Sequence, residues 1–108
     1  MTHILFDDEM SGHDSRFDKL DIDPVSQTVT VLFHSYPTFQ SRDRIPVKVV
    51  FSEVTSVNTI LDFKEIASHR APGNVNHWHI SEGPGMSYIY LCGGCIAITA
   101  SASPLLVE

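Results

Sequence analysis

Two short segments carry the residue types most often used in metal and thiol chemistry. Cys92 and Cys95 flank two glycines, and His77 and His79 stand two positions apart earlier in the chain. Zn²⁺ accepts the Cys-x-x-Cys spacing, and alternate residues of a strand face the same way. Adjacent strands could therefore bring these four side chains together around zinc, although their order matches no standard zinc motif.

The cysteine pair also suits a redox or a purely structural role. A redox Cys-x-x-Cys usually places its first cysteine at a helix N-terminus, which activates the thiol. Here the flanking residues are typical of strands. With Gly93-Gly94 as a two-residue hairpin loop, Cys92 and Cys95 would oppose each other as small buried apolar residues. We prefer this structural interpretation, with no cofactor, and keep zinc as the alternative.

Signatures of catalysis are otherwise missing from the sequence. The segment His13-Asp14-Ser15 has the residue types of a hydrolase triad, but consecutive side chains cannot converge as nucleophile, base and orienting group. Asp21 and Asp23 share a strand face, yet a Ca²⁺ site needs further oxygen ligands. There is no phosphate-binding loop, dinucleotide fingerprint or Gly-x-Ser-x-Gly elbow. The sequence therefore predicts a protein that is not an enzyme.

Negative charge is concentrated near the N-terminus. The formal net charge is −6, and residues 1–24 hold seven acidic and two basic residues, which gives that segment −5. Such a surface repels nucleic acid and steers a basic protein toward itself, although a merely solubilising face is the simpler alternative. The predicted partner-binding residues are Asp7, Asp8, Glu9, Asp18, Asp21 and Asp23, with Tyr36 or Phe39 as an aromatic anchor.

Length and hydropathy favour one cytoplasmic domain spanning residues 1–108. A chain of 108 residues suits a single domain. No apolar run reaches the roughly 20 residues of a membrane-spanning helix. The N-terminus lacks the basic and apolar segments of a signal peptide. We therefore expect no membrane partner and reduced thiols.

Hydrophobic periodicity predicts a mainly β fold, either an antiparallel sandwich or a strongly curled sheet. Alternating residues predict strands over 15–23, 28–35, 45–54, 75–81 and 86–92, a return strand through Ile96 and Ile98, and a short strand over 105–107. A bulge is expected between Phe17 and Leu20, where the alternation changes phase. Trp78, the single tryptophan, is predicted to lie in the core rather than in an interface.

One short helix is predicted near residues 59–68. Ile60, Phe63 and Ala67 have helical spacing, and Ser56 or Asn58 could cap the first turn. The alternative is that residues 57–61 prolong a sheet edge.

The order of these segments resembles that of small bacterial immunity-protein-like domains of polymorphic toxin systems. The matching segments are 12–15 leading into 17–22, then 29–33, 47–54, and 89–91 followed by glycine and 96–100. The resemblance implies a cytosolic protein that binds and neutralises a toxin domain, and it supplies no catalytic residue. Pairing of two copies through an exposed sheet edge is a further expectation, because many short strands leave edges to cover.

Overall fold

The structure is a computed structural model that describes residues 13–36 and 41–107. Along the chain its elements are β1 (Arg16–Asp23), β2 (Thr28–Ser35), β3 (Ile45–Phe51), β4 (Val54–Leu61), α1 (Phe63–Ser68), β5 (Val75–His79), β6 (Gly85–Leu91), β7 (Gly94–Ala100) and β8 (Leu105–Val107). Within these ranges no helix is long and apolar enough to cross a bilayer.

The strands form two antiparallel sheets of four strands each. The first sheet has the order β1-β2-β3-β8, and the second has the order β4-β7-β6-β5. Phe33 of the first sheet packs on Trp78 of the second, with ring centroids 4.9 Å apart. The prediction of a mainly β, antiparallel fold with one short helix is therefore confirmed, and Trp78 belongs to the core as predicted.

The core lies between the sheets because each central strand alternates apolar and polar residues. Val31 and Phe33 of β2 point inward, as do Ile89 of β6 and Ile96 of β7, and all four are at most 1% exposed. Full burial of one such side chain stabilises a fold by about 1.5–3 kcal/mol. The opposite faces of both sheets are left for solvent or for partners.

The hairpin of β1 and β2 follows the sequence prediction closely. β2 spans Thr28–Ser35 as expected, and the pairing of β1 with β2 shifts between Phe17 and Lys19, where the bulge was predicted. In the connecting turn, the backbone N–H groups of Val25 and Ser26 donate to Asp23 Oδ1 at 3.0 and 3.2 Å. Asp23 thereby fixes the turn, as aspartate before proline often does.

The helix prediction was wrong at its start, where the alternative of a sheet edge over residues 57–61 is confirmed. Residues 54–61 form β4, and α1 begins only at Phe63. The cap is Asp62, whose side chain accepts from the N–H of Glu65, so neither predicted capping residue has that role. Helical spacing was misleading because β7 offers residues 56–61 a continuous strand partner, and this tertiary pairing overrides local propensity.

The predicted third strand, 45–54, also divides. β3 ends at Phe51, and Glu53, with φ +51°, turns the chain into β4. A non-glycine residue at positive φ is uncommon, and periodicity gives no signal for it.

The hairpin of β6 and β7 turns one residue earlier than predicted. Leu91 pairs with Gly94, so the two-residue loop is Cys92-Gly93 rather than Gly93-Gly94. Gly93 adopts φ +100° in this loop. Gly94 begins β7, where a Cβ would lie 2.2 Å from the carbonyl oxygen of Ile60. The second glycine is therefore needed for close strand packing rather than for the turn.

Candidate protein-binding face

The outer face of the second sheet presents a surface without charged residues, here called the uncharged face. Strand register places three rows of residues on it. The rows are Ile60, Cys95, Tyr90 and His77; then Asn58, Ala97, Tyr88 and His79; then Ser56, Thr99 and Met86. Alternate residues of β6 and β7, such as Ile89 and Ile96, point the other way, into the core.

Aromatic and imidazole rings cluster at the β5–β6 side of the uncharged face. The centroid of His77 lies 4.8 Å from that of Tyr90, and the centroid of His79 lies 5.4 Å from that of Tyr88. The two tyrosine rings are 5.0 Å apart and tilted by 55°. Neighbouring cross-strand rings of this kind hold one another in place, so the cluster is pre-organised for contact.

The composition of the uncharged face is unusual for a surface in water. None of its eleven residues is Asp, Glu, Lys or Arg. Solvent-facing positions of soluble domains are about 25–35% charged, so about three charged residues would be expected among eleven. Ile60, Met86 and Tyr90 are nevertheless 72%, 54% and 43% exposed. Depletion of charge together with exposed aromatic residues is typical of the centre of a protein interface.

The outer side of the first sheet is built differently, around one carboxylate. His34 Nδ1 donates to Asp18 Oδ2 at 2.5 Å, and Arg70 donates to Asp18 Oδ1 at 2.7 Å. Arg16 Nε lies 3.4 Å from the same oxygen. Asp18 is therefore committed to an internal network of three basic groups, here called the Asp18 network.

A groove of about 620 Å³ lies beside the Asp18 network. Its wall combines Asp18, His34, Lys48 and Arg70 with apolar residues of β2, β3 and β8. An aspartate–histidine pair orients the imidazole, as in general-base catalysis. The described residues that line the groove include no Ser, Thr or Cys that the imidazole could activate. The observed bonds of Asp18 hold β1, β2 and the segment after α1 together.

The other sequence-predicted contact residues are scattered. Asp21 pairs with Lys19 at 3.4 Å, and Asp23 is used in the hairpin turn. The pKa of Asp23 is lowered below its ordinary value of 3.8. The hydrogen bond from the backbone of Ser26 has the largest effect, and the one from the Ser26 side chain has the next largest. Tyr36 is half-buried, with the Arg44 guanidinium 4.8 Å above its ring. Asp7, Asp8, Glu9 and Phe39 lie outside the described residues.

The structure does not bring the four zinc candidates together. Cys92 lies in the loop, where its thiol reaches Asn76 Oδ1 at 3.5 Å, and Cys95 pairs with Tyr90 on the uncharged face. His77 also pairs with Tyr90, from the other side, so a whole strand separates it from Cys95, about 10 Å. Over residues 13–36 and 41–107, no three His, Cys, Asp or Glu side chains are grouped to hold a metal ion.

The cysteines are not placed as predicted either. They do not oppose each other, because the turn is shifted by one residue, and both thiols are free and half-buried. Sequence reasoning also missed Tyr88 and Tyr90 as surface residues. The signal was present in the alternation of Tyr88 and Tyr90 with Ser87 and Ile89, which predicts two tyrosines on one face of a strand.

Comparison with known proteins adds no relative. The chain matches no protein-family model, and no curated protein or solved structure is significantly similar to it.

Proposed function

We propose that this protein is a non-enzymatic protein-binding domain whose contact surface is the uncharged face. The observation that carries the proposal is the cluster of Tyr88, Tyr90, His77 and His79 on an exposed sheet face without a single Asp, Glu, Lys or Arg. Rigid tyrosines contribute large contact areas at low entropic cost, and they are enriched among the residues that dominate binding energy.

A basic protein is the partner that the chain's charge favours. The chain has a net charge of −6, and none of the eleven residues of the uncharged face is charged, so a basic partner can be attracted without desolvating a charge of that face. The exposed Asp21 would contribute to this long-range attraction, whereas Asp18 is neutralised by its own network. The resemblance to immunity-protein-like domains makes a toxin domain the first partner to test, and binding would block the toxin sterically.

The test is affinity capture from the native host with identification of the captured proteins by mass spectrometry. Wild-type protein is compared with a Tyr88→Ser/Tyr90→Ser variant. Each identified protein is then purified, and its affinity for both forms is measured. Loss of two central tyrosines should weaken binding at least about thirtyfold, because truncation of one hot-spot residue costs about 2 kcal/mol or more.

Two control variants separate the surfaces. Tyr36→Ser removes the anchor that the sequence suggested, and Asp21→Asn removes charge from the other sheet. We expect the first to leave affinity unchanged and the second to slow association slightly in low salt, since distant charges act mainly on encounter rates. If every captured protein binds the double tyrosine variant as tightly as wild type, the uncharged face is not the contact surface and the proposal is wrong.

A further inference from the structure

The sandwich has four edge strands, and three of them carry a feature that discourages pairing with another chain. β1 contains the charged residues Arg16, Asp18, Lys19, Asp21 and Asp23 and a bulge, and β8 has only three residues. β5 is bulged, and both main-chain groups of Val75 are bonded to the segment before β1, through Asp14 and Ser15. Charge, shortness, bulges and coverage are the usual protections of sheet edges.

The fourth edge strand, β4, lacks these protections over most of its length. Its eight residues include no charged residue and no proline, and none of them is buried. β7 pairs with one side of it, and no strand among residues 13–36 and 41–107 pairs with the other. Its single irregularity lies between Val54 and Ser56, so residues 56–61 form a regular strand. Peptide groups on this free side are a template for a further strand.

Exposed apolar side chains flank the free side of β4. Ile60 on β4 and Phe63 just after it are 72% and 78% exposed, and Ile22 and Val25 of the neighbouring hairpin are 48% and 94% exposed. Two grooves open between β1 and the β4 side of the second sheet, of about 270 and 380 Å³. A strand added to β4 would therefore meet apolar surface on its flanks as well as free peptide groups.

We propose that β4 pairs antiparallel with β4 of a second copy of this chain, giving a two-fold dimer with a continuous eight-stranded sheet. A two-fold axis brings a strand antiparallel to its own copy and closes the assembly at two subunits. The inference goes beyond the proposed function, and it shares Ser56, Asn58 and Ile60 with the uncharged face, so such a dimer would set two uncharged faces side by side.

Charge favours a second copy at β4 rather than at β1. Two chains of net charge −6 repel each other, and at β1 the acidic residues would meet like charges. Within β4 the residues brought together are Ser, Thr, Asn, Val, Ile and Leu, so like charges do not face each other inside the paired strand, and the acidic Glu53 and Asp62 lie just beyond its two ends. The interface is small, because one short strand and a few flanking side chains bury less than the standard 800 Å² per partner. We therefore expect a dissociation constant on the order of micromolar.

Sedimentation velocity of the tag-free full chain, from about 1 μM to about 500 μM, brackets that affinity. Wild type should change from monomer to dimer over this range. Ser56→Lys/Asn58→Lys and Ser56→Asp/Asn58→Asp place like charges on the paired edge, and each should weaken dimerisation at least about tenfold. Mixing the two variants should restore a dimer that contains one of each, because opposite charges then face each other.

The control is Thr30→Lys, which adds a single lysine to the outward side of β2, an interior strand of the first sheet. It should dimerise like wild type. Circular dichroism confirms that each variant is folded. A wild-type chain that stays monomeric at the highest concentration overturns the proposal. A dimer that neither double variant weakens also overturns it, because it would use another surface or another strand.

Discussion

The outer sides of the two sheets are made of antiparallel strands from one chain, yet they treat charge in opposite ways. On the first sheet, the carboxylate of Asp18 forms ion pairs with His34, Arg16 and Arg70, and Asp21 pairs with Lys19. On the second, eleven outward residues carry no Asp, Glu, Lys or Arg, and rings of Tyr and His pack on one another instead.

This difference assigns structural ion pairing to the outer side of the first sheet and contact area for a partner to the outer side of the second. On the charged side, Asp18 bonds His34 and Arg70 and so links β1 to β2 and to the segment after α1. The uncharged face leaves apolar area in water, which is unfavourable for the isolated domain and becomes favourable when a partner removes that area from solvent. Because the two outer sides differ in this way, we expect a partner to bind the uncharged face rather than the outer side of the first sheet.

The largest expected effect comes from disturbing the uncharged face through its backbone. A Cβ at Gly94 would lie 2.2 Å from the carbonyl oxygen of Ile60, so Gly94→Ala should push β4 away from β7. We expect a loss of about 2–3 kcal/mol in the free energy of unfolding, typical of overpacking. Urea denaturation followed by the fluorescence of Trp78 measures it. Gly83→Ala is the matched control, since nothing lies within 4 Å of its Cβ position, and equal losses in both variants would contradict the argument.

A smaller effect is expected on the charged side. Asp18→Ala leaves three basic groups without their shared carboxylate, and the side chain of Asp18 is only 18% exposed. We expect about 1–3 kcal/mol of destabilisation, the usual result of removing a hydrogen-bonded charge partner. Asp21→Ala removes a pair in which both side chains are more than half exposed, and its effect should stay within about 0.5 kcal/mol. Similar values for the two variants would show that the Asp18 network contributes no more than a surface ion pair.

The smallest effect is a pH dependence at the hairpin turn of the charged sheet. The pKa of Asp23 is lowered by hydrogen bonds from Ser26 and Val25, so folding favours its ionised form. Stabilisation from this carboxylate is present above its unfolded pKa and is lost as the pH falls through its lower folded pKa. The difference in urea midpoint between wild type and Asp23→Ala should therefore be constant from about pH 5 to 7 and shrink below about pH 4. A difference that grows on acidification would be inconsistent with this cause.

Most of the fold could be predicted from local patterns. Alternation in residues 28–35 defines β2, the phase change after Phe17 marks the bulge, and Asp23-Pro24 marks the turn. These signals are local because each depends on neighbouring residues alone. For β4 these local signals left a sheet edge over residues 57–61 only as the alternative to a helix, since Ile60, Phe63 and Ala67 have helical spacing, and pairing with β7 decided for the strand.

The candidate site was harder to predict than the fold. The sequence drew attention to His77, His79 and the cysteines for metal binding, because those residue types are recognisable in isolation. Whether these side chains can share a metal ion depends on strand register. A shift of one residue in the β6–β7 turn placed Cys92 in the loop and Cys95 beside Tyr90. The same register aligned the histidines with Tyr88 and Tyr90. Side-chain direction alternates along a strand, so an error of one position exchanges the two faces.

By itself, the order of apolar and polar residues determined that this chain forms antiparallel strands around one core, because burial of every second side chain is a property of the strand. It also determined the net charge and the short turns. Only the tertiary structure decided that the strand positions of one sheet face hold no Asp, Glu, Lys or Arg and that Asp18 is bonded to its own neighbours. It also decided that, within residues 13–36 and 41–107, no strand pairs with the outer side of β4. Those three features depend on which strands lie side by side, and that pairing joins residues far apart in the chain.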